Sequence, residues 1–327
     1  MCTAVSYHPH AHYFGRTLDL EHHYHECITI TPRRFPLPFR HLATLCTHHA
    51  IIGTAYVQNG YPLYYDGMNE KGLCMAGLRF PVHCAYGAVT AGKENVASFE
   101  LIPCVLGRCS DISEARAMLE NLQITDTAFS KALPPSPLHW IIADTDSSIT
   151  VEQTAEGLRI YDNPVGVLTN EPPFPMQLLR LAEFMQLSPT PPENRLAPTV
   201  ELPPYSRGMG AMGLPGDSSS PSRFVRAVFC KTHSLSSNDE ADSVAQFFHI
   251  LQSVAQLRGC VSLGNGSYER TVYSSCCSAG HGIYYYTTYE NSAVTAVDLH
   301  AENLDGEALI SYPMLRMMQI SRQNSTK

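Results

Sequence analysis

Three observations in the 327-residue sequence predict a layered α+β fold with helices packed on sheets. Strand-like alternation comes first, helical periodicity occupies the middle, and strand-like runs return at the end. The hydrophobic fraction is 44% against only 16% charged residues, enough for a large core without a long disordered part. One Trp stands against seventeen Tyr, which suits a strand-rich chain. Two average domains would fit this length, but the Pro-rich stretches 188–192 and 202–205 enclose no core of their own. A single domain over 1–327 is therefore expected.

The elements follow in order. Thr3, Val5 and Tyr7 alternate with smaller residues, 8–11 reads as a turn, and His12-Tyr13-Phe14 opens a second β-prone run, so the N-terminus is a hairpin. Its register stays open because Gly15 offers a place for a bulge. Strands are expected at 28–31 and 50–57, a turn at 66–72 and a strand at 73–78. The period then changes. Residues 97–106, and Ile112 with Ala115, Met118, Leu119 and Leu122, fit helical spacing, with Ser110 or Asp111 as cap for the second. Strands resume at 140–144 and 149–153, and 167–172 is a strand running into a turn. Helices are expected at 177–186, 224–229 and 244–257, and a closing hairpin joins 282–289 to 293–299. No internal repeat is visible.

A formal net charge of −8 without a Lys/Arg block argues against nucleic acid as a partner. No signal-peptide pattern follows Met1 and no run is long enough for a membrane span, so a cytoplasmic protein is expected, its eleven cysteines reduced. His8, His10 and His12 have the spacing of one strand face, and His22, His23, His25, His48 and His49 add to the count. The first three straddle the turn, however, and no carboxylate or cysteine closes a ligand shell, so they are expected at the surface and no metal site is assigned. The loop 213–220 lacks the Gly-Lys-Ser/Thr ending of a phosphate loop. It serves better as a tight turn delivering Ser222-Arg223 to a helix start, with a serine as cap.

Position 2 carries the chemistry. A cysteine directly after the initiator methionine becomes the N-terminus once Met1 is trimmed, and nucleophile and base then share one residue. An α-amino group titrates at about 7.7–8.0, low enough to take the proton of a thiol of ordinary pKa about 8.5. The return strand brings Arg16 and Asp19 near that amine. A guanidinium favours thiolate over thiol and a carboxylate can hold an ammonium. On the residues alone, an ordinary strand-end ion pair is an equal reading of Arg16 and Asp19, and an Asx-type turn is the simpler reading of Asn170.

Met-Cys-Thr at 1–3, Tyr-Phe-Gly-Arg-x-x-Asp at 13–19, Asp-Gly-Met-Asn-Glu-Lys-Gly at 66–72, Leu-His-Trp at 138–140, Val-Glu-Gln at 151–153, Gly-Val-Leu-Thr-Asn at 166–170, Gly-Leu-Pro-Gly-Asp at 213–217, Ser-Arg-Phe-Val-Arg at 222–226 and Tyr-Tyr-Tyr-Thr-Thr-Tyr-Glu-Asn at 284–291 occur in this order. Together they resemble the cholylglycine hydrolase family of bile salt hydrolases and penicillin V acylases. The resemblance implies an N-terminal nucleophile hydrolase fold of four layers, αββα, in a cytoplasmic homotetramer without cofactor. It makes Cys2 the nucleophile and its freed amine the base, with Asp19 holding the amine, Arg16 and Arg223 near the thiolate and Asn170 donating to the oxyanion. Leu18, Tyr24, Tyr64 and Leu133 become apolar walls for a conjugated bile salt.

One position departs from the pattern. Bile-salt-type members read Gly-Leu-Asn-Phe-Pro and penicillin-type members carry Tyr at the third place, whereas this chain has Gly77-Leu78-Arg79-Phe80-Pro81. The Arg79 backbone N–H can still serve the oxyanion, but its side chain cannot act as Asn or Tyr does, so this position does not tell bile salt from penicillin V. Bile salt amidase, acylase of penicillin V or a related N-acyl amide, and a silent or metal-binding protein on the same fold are the three readings. Intact-mass measurement of the purified protein is expected to show Met1 absent, and full activity with Met1 retained rules out the amine as base.

Overall fold

The N-terminal hairpin lies in the interior of a sheet, not at its edge. The structure, a computed structural model, describes residues 1–325. Its strands are β1 (Cys2–Tyr7), β2 (Tyr13–Leu20), β3 (Cys27–Thr31), β4 (Ile51–Gln58), β5 (Tyr61–Asn69), β6 (Cys74–Arg79), β7 (Glu94–Ala97) and β8 (Leu122–Thr125). The second half adds β9 (Leu138–Ala143), β10 (Ser148–Thr154), β11 (Gly157–Asp162), β12 (Val167–Leu168), β13 (Arg270–Ser278), β14 (Ile283–Thr288), β15 (Thr295–Asp298) and β16 (Ile310–Pro313). The helices are α1 (Leu101–Arg108), α2 (Ile112–Glu120), α3 (Phe174–Arg180), α4 (Ser220–His233) and α5 (Glu240–Gln252).

Six strands form the first sheet in the order β12-β1-β2-β13-β14-β15, and eight form the second in the order β11-β10-β9-β6-β5-β4-β3-β16. Both are antiparallel throughout. Helices α4 and α5 pack on the first sheet and α1 on the second, while β1 and β2 meet β5 and β6 across the middle. The four layers are αββα. Alternation along the strands builds them: Cys74, Ala76 and Leu78 of β6 and Ile141 and Ala143 of β9 enter the core between the sheets. Met75, Trp140 and Ile142, their neighbours in sequence, enter a second core under α1 and α2.

Where helix and strand expectations fail, the reason is local. Residues 66–69 continue β5 and only the residues after them turn. Pro62 and Gly67 inside that strand hide it from a pattern reading. Strand β13 is buried along nearly its whole length on both faces, so Ser274-Ser275-Cys276-Cys277 shows no alternation. Residue 97 ends β7, and the helix predicted from there begins at Leu101 after a 3₁₀ turn. Asp111 is the cap of α2, accepting from the Glu114 N–H at 2.9 Å. At α4 no serine side chain caps. Asp217 accepts from the Ser219 N–H at 2.9 Å and from Ser222 Oγ at 2.6 Å, and these hydrogen bonds draw its pKa down to about 2. His12 and His48 are buried, against the surface expectation. His12 bonds Ser6 Oγ at 3.0 Å, and burial draws its pKa down to about 3.

The hairpin register is regular, setting Cys2 opposite Leu18 and Ala4 opposite Arg16. Gly15 hosts no bulge. It lets the backbone of β13 approach β2 closely, because a Cβ there would lie 1.9 Å from the Ser275 carbonyl oxygen. The irregularity falls instead on β13 between Thr271 and Tyr273, and a second falls on β5, where Tyr65 is the extra residue opposite Thr54 and Ala55. Gly15→Ala is expected to destabilise by about 3 kcal/mol or more, since backbone and not a side chain must give way, and urea unfolding measures it.

Candidate active site

Cys2 opens β1 with its side chain on the face turned toward the second sheet, the face it shares with Leu18 and Arg16. Its backbone N–H donates to Asn170 Oδ1 at 2.8 Å. With Met1 in place, that nitrogen is an amide. The Met1 ammonium donates to the Asp19 carbonyl at 3.0 Å and contacts the Glu269 carboxylate, a group the sequence reading did not single out. Burial pushes this amine below its ordinary value, while the nearby Cys2 and Asp19 pull the other way. The Asp19 carboxylate lies on the opposite face of β2, held by Thr271 Oγ1 at 2.7 Å and Thr17 Oγ1 at 3.2 Å.

Arg16 fills a fork in the second sheet. Strands β5 and β6 pair only as far as Asp66–Ala76 and then separate, leaving carbonyls without ladder partners. The Tyr65 carbonyl is freed by the bulge and accepts from Arg16 Nη1 at 3.1 Å. The Gly77 carbonyl accepts from the same nitrogen. Nη2 is buried and has no hydrogen-bond partner among the described residues. Burial works against the charge, but Cys2, Tyr273, Asp66 and Asp19 outweigh it, and the pKa of Arg16 ends above the ordinary arginine value.

Arg223, one turn into α4, ties three segments together. It donates to the Cys2 carbonyl and Thr3 Oγ1, each at 2.6 Å, to Asn170 Oδ1 at 2.7 Å and to the Ser218 carbonyl at 3.0 Å. Burial lowers its pKa, with Asp19 and Cys2 opposing. Its partners are the backbone and side chains around Cys2, not the sulfur. Asn170 ends β12. With its oxygen taken by Cys2 and Arg223, the amide nitrogen donates one hydrogen to the Arg79 carbonyl at 2.8 Å and keeps a second.

The backbone of Arg79 faces the same place. Phe80 N–H bonds the Pro137 carbonyl at 2.9 Å, so Arg79 and Leu138 form the non-hydrogen-bonded pair between β6 and β9. Both the C=O and the N–H of Arg79 therefore point away from β9, and the C=O accepts from Asn170. Its side chain is exposed on the outer face, with Glu21 as a charged neighbour.

An apolar cleft opens at the fork, walled by Tyr64, Tyr65, Gly77, Leu133, Leu138 and Trp140 among others. Of the four residues expected as apolar walls, Tyr64 and Leu133 line this cleft. Leu18 is buried opposite Cys2, and Tyr24 stands on the exposed β2–β3 loop, bonded to Glu21. His139 is fully buried between Glu152 at 3.0 Å and the Thr169 carbonyl at 2.9 Å, which fixes the residue before Asn170. Among the described residues no group of three or more His, Cys, Asp or Glu is placed to hold a metal ion.

The sequence pattern of the linear amide C–N hydrolases, choloylglycine hydrolase family, matches residues 2–312. The chain belongs to that family. A bile salt hydrolase/transferase from Lactiplantibacillus plantarum is 52% identical over 314 residues, covering 96% of this chain and 97% of its own. A second, from Clostridium perfringens, is 36% identical over 330 residues, 99% of this chain and 100% of its own. The crystal structure of the C2A variant of conjugated bile acid hydrolase from Clostridium perfringens superposes with a TM-score of 0.92 at 36% identity over 99% of this chain and all of that one. Penicillin V acylase from Agrobacterium tumefaciens shares the fold at a TM-score of 0.75 and 20% identity, over 95% of this chain and 91% of that one. This choloylglycine hydrolase family member is a linear amide C–N hydrolase with the N-terminal nucleophile fold.

Proposed function

We propose that this enzyme hydrolyses the amide bond of glycine- or taurine-conjugated bile salts through a thioester on Cys2. The observation that carries the reading is that Arg16 shares a strand face with Cys2 and Asn170 bonds both the Cys2 N–H and the Arg79 carbonyl, beside an apolar cleft whose lining includes Tyr65 and Gly77, the carbonyl partners of Arg16. Its near relative at 52% identity, a bile salt hydrolase/transferase, supports it.

After removal of Met1, the Cys2 amine takes the thiol proton and the sulfur attacks the amide carbonyl. Asp19, next to the seat now filled by the Met1 ammonium, holds the protonated amine. The oxyanion rests between the Arg79 N–H and the second hydrogen on Asn170 Nδ2, with the buried charge of Arg16 behind the sulfur. Loss of one such donor typically costs about 10²–10³ in rate. The ammonium returns its proton to the leaving glycine or taurine nitrogen as the C–N bond breaks. A water, deprotonated by the same amine, then opens the thioester and releases the free acid. Arg223 positions the Cys2 carbonyl and the Asn170 amide, and the steroid lies along Tyr64 and Leu133.

Assembly and place in the cell belong to the same proposal. The enzyme works as one unit over 1–327 in the cytoplasm, and no helix among the described residues is long and apolar enough to cross a membrane. Leu179, Met185, Leu196, Leu202, Tyr205 and Met212 expose a run of apolar surface on α3 and the excursion after it, a face suited to burial in a homotetramer.

Amine release from taurocholate, glycocholate and penicillin V tests the substrate class. Turnover of the first two and little of the third is expected, and preference for penicillin V overturns the reading. Cys2→Ser is expected to abolish turnover with the fold intact. A variant within about tenfold of wild type, a loss of only ~1.4 kcal/mol, points to another nucleophile. Arg79 is exposed and pairs with Leu138 of the cleft lining, and its planar fork of donors suits the carboxylate or sulfonate tail. Arg79→Asn is expected to raise KM for both conjugates with kcat little changed, because the anion is present in ground and transition states alike. Unchanged KM assigns the residue's contribution to its backbone alone.

A further inference from the structure

Asp66 is a fully buried carboxylate that the steps above leave unused. It projects from β5 into the space between the sheets and forms no ion pair within salt-bridge distance among the described residues. Three hydroxyls converge on it: Tyr273, Ser275 Oγ at 2.8 Å and Tyr284 at 2.7 Å. Each of them can donate to the carboxyl group, which accepts on both oxygens when ionised. Thr54 Oγ1 backs the Tyr284 hydroxyl at 2.7 Å. Ser275 Oγ also receives the Arg16 N–H at 3.2 Å, which joins the cage directly to β2.

The charged and titratable groups that face this carboxylate from the packed elements are Arg16 of β2, Tyr273 and Cys277 of β13 and Tyr284 of β14. Arg16 is the sole cation among them. Among the described residues the Arg16 side chain, conversely, hydrogen-bonds only carbonyl oxygens, and a buried guanidinium needs an anion near it. Burial pushes the pKa of Asp66 above the ordinary aspartate value, while Arg16 and the three hydroxyls pull it back.

We infer that Asp66 is the standing counter-charge of Arg16 and a positioning residue of the site, cancelling part of the cation's field at the Cys2 sulfur. The inference rests on the reading of Cys2 as nucleophile. An uncompensated Arg16 would hold Cys2 as thiolate further into acid, and a more stabilised thiolate is a weaker nucleophile. The hydroxyl cage keeps Asp66 charged without bringing it into contact with the guanidinium, so Arg16 remains free to act on the sulfur.

The test is alkylation of Cys2 by iodoacetamide in the mature enzyme, followed across pH by mass mapping of the N-terminal peptide. In Asp66→Asn, which keeps shape and loses charge, the midpoint of the profile is expected to move about one pH unit toward acid. The acid limb of kcat/KM should move with it, a shift that lost packing alone would not produce. Tyr284→Phe, which removes one of three donors, moves both profiles the same way by less and serves if Asp66→Asn does not fold. Unmoved profiles in a folded variant, or movement toward alkali, overturn the inference. Wild-type enzyme that stays active with its N-terminal peptide fully alkylated overturns the reading of Cys2 itself, and the role of Asp66 falls with it.

Discussion

A guanidinium buried between two sheets is the constraint on which the rest of this structure depends. Arg16 is fully enclosed, and an ion in that position needs several kcal/mol of compensation. The fold supplies it from the second sheet, where β5 and β6 part and leave two carbonyls pointing at the guanidinium. The bulge at Tyr65, the short β5–β6 ladder and the hydroxyl cage on the same strand all follow from housing this one charge. Arg223 poses the same problem on the helix side and solves it with two carbonyls, a hydroxyl and an amide.

Much of this was legible in the sequence because it is local. The hairpin of 2–20 follows from alternation and a turn signal, and Cys2 follows from its position after Met1. The Asp111 cap follows from residue type at the right offset. The residues around Cys2 were legible only through resemblance, since nothing in the spacing of Asn170 or Arg223 reports that they bond each other and that both bond the backbone of Cys2. Register was out of reach. It is decided by where β13 and β5 spend an extra residue, and those bulges have no glycine to mark them.

Glu269, His139 and Asp66 show the second reason for a miss. Each acts on a group far away in sequence: Glu269 on Met1, His139 on Thr169, Asp66 on Tyr273, Ser275 and Tyr284. A titratable residue within a strand reads as a surface residue until its partner is placed. His139 and Asp66 sit in motifs that the sequence displays, but the motifs give no partner. Their burial is a property of the layering, which puts both faces of the central strands out of water.

The two sheets also divide the labour of the enzyme. Cys2, Arg16, Asp19 and Asn170 stand on the first sheet or at its edge, with Arg223 on the helix layer behind it, whereas Tyr64, Leu133, Trp140 and the side chain of Arg79 belong to the second sheet and its loops. The forked pair β5 and β6, together with His139 of β9 on the Thr169 carbonyl, connects the two sets. Walls of the cleft can thus be exchanged by drift or by design while the reacting groups keep their geometry, so a lineage built on this scaffold can change its diet without reinventing its chemistry.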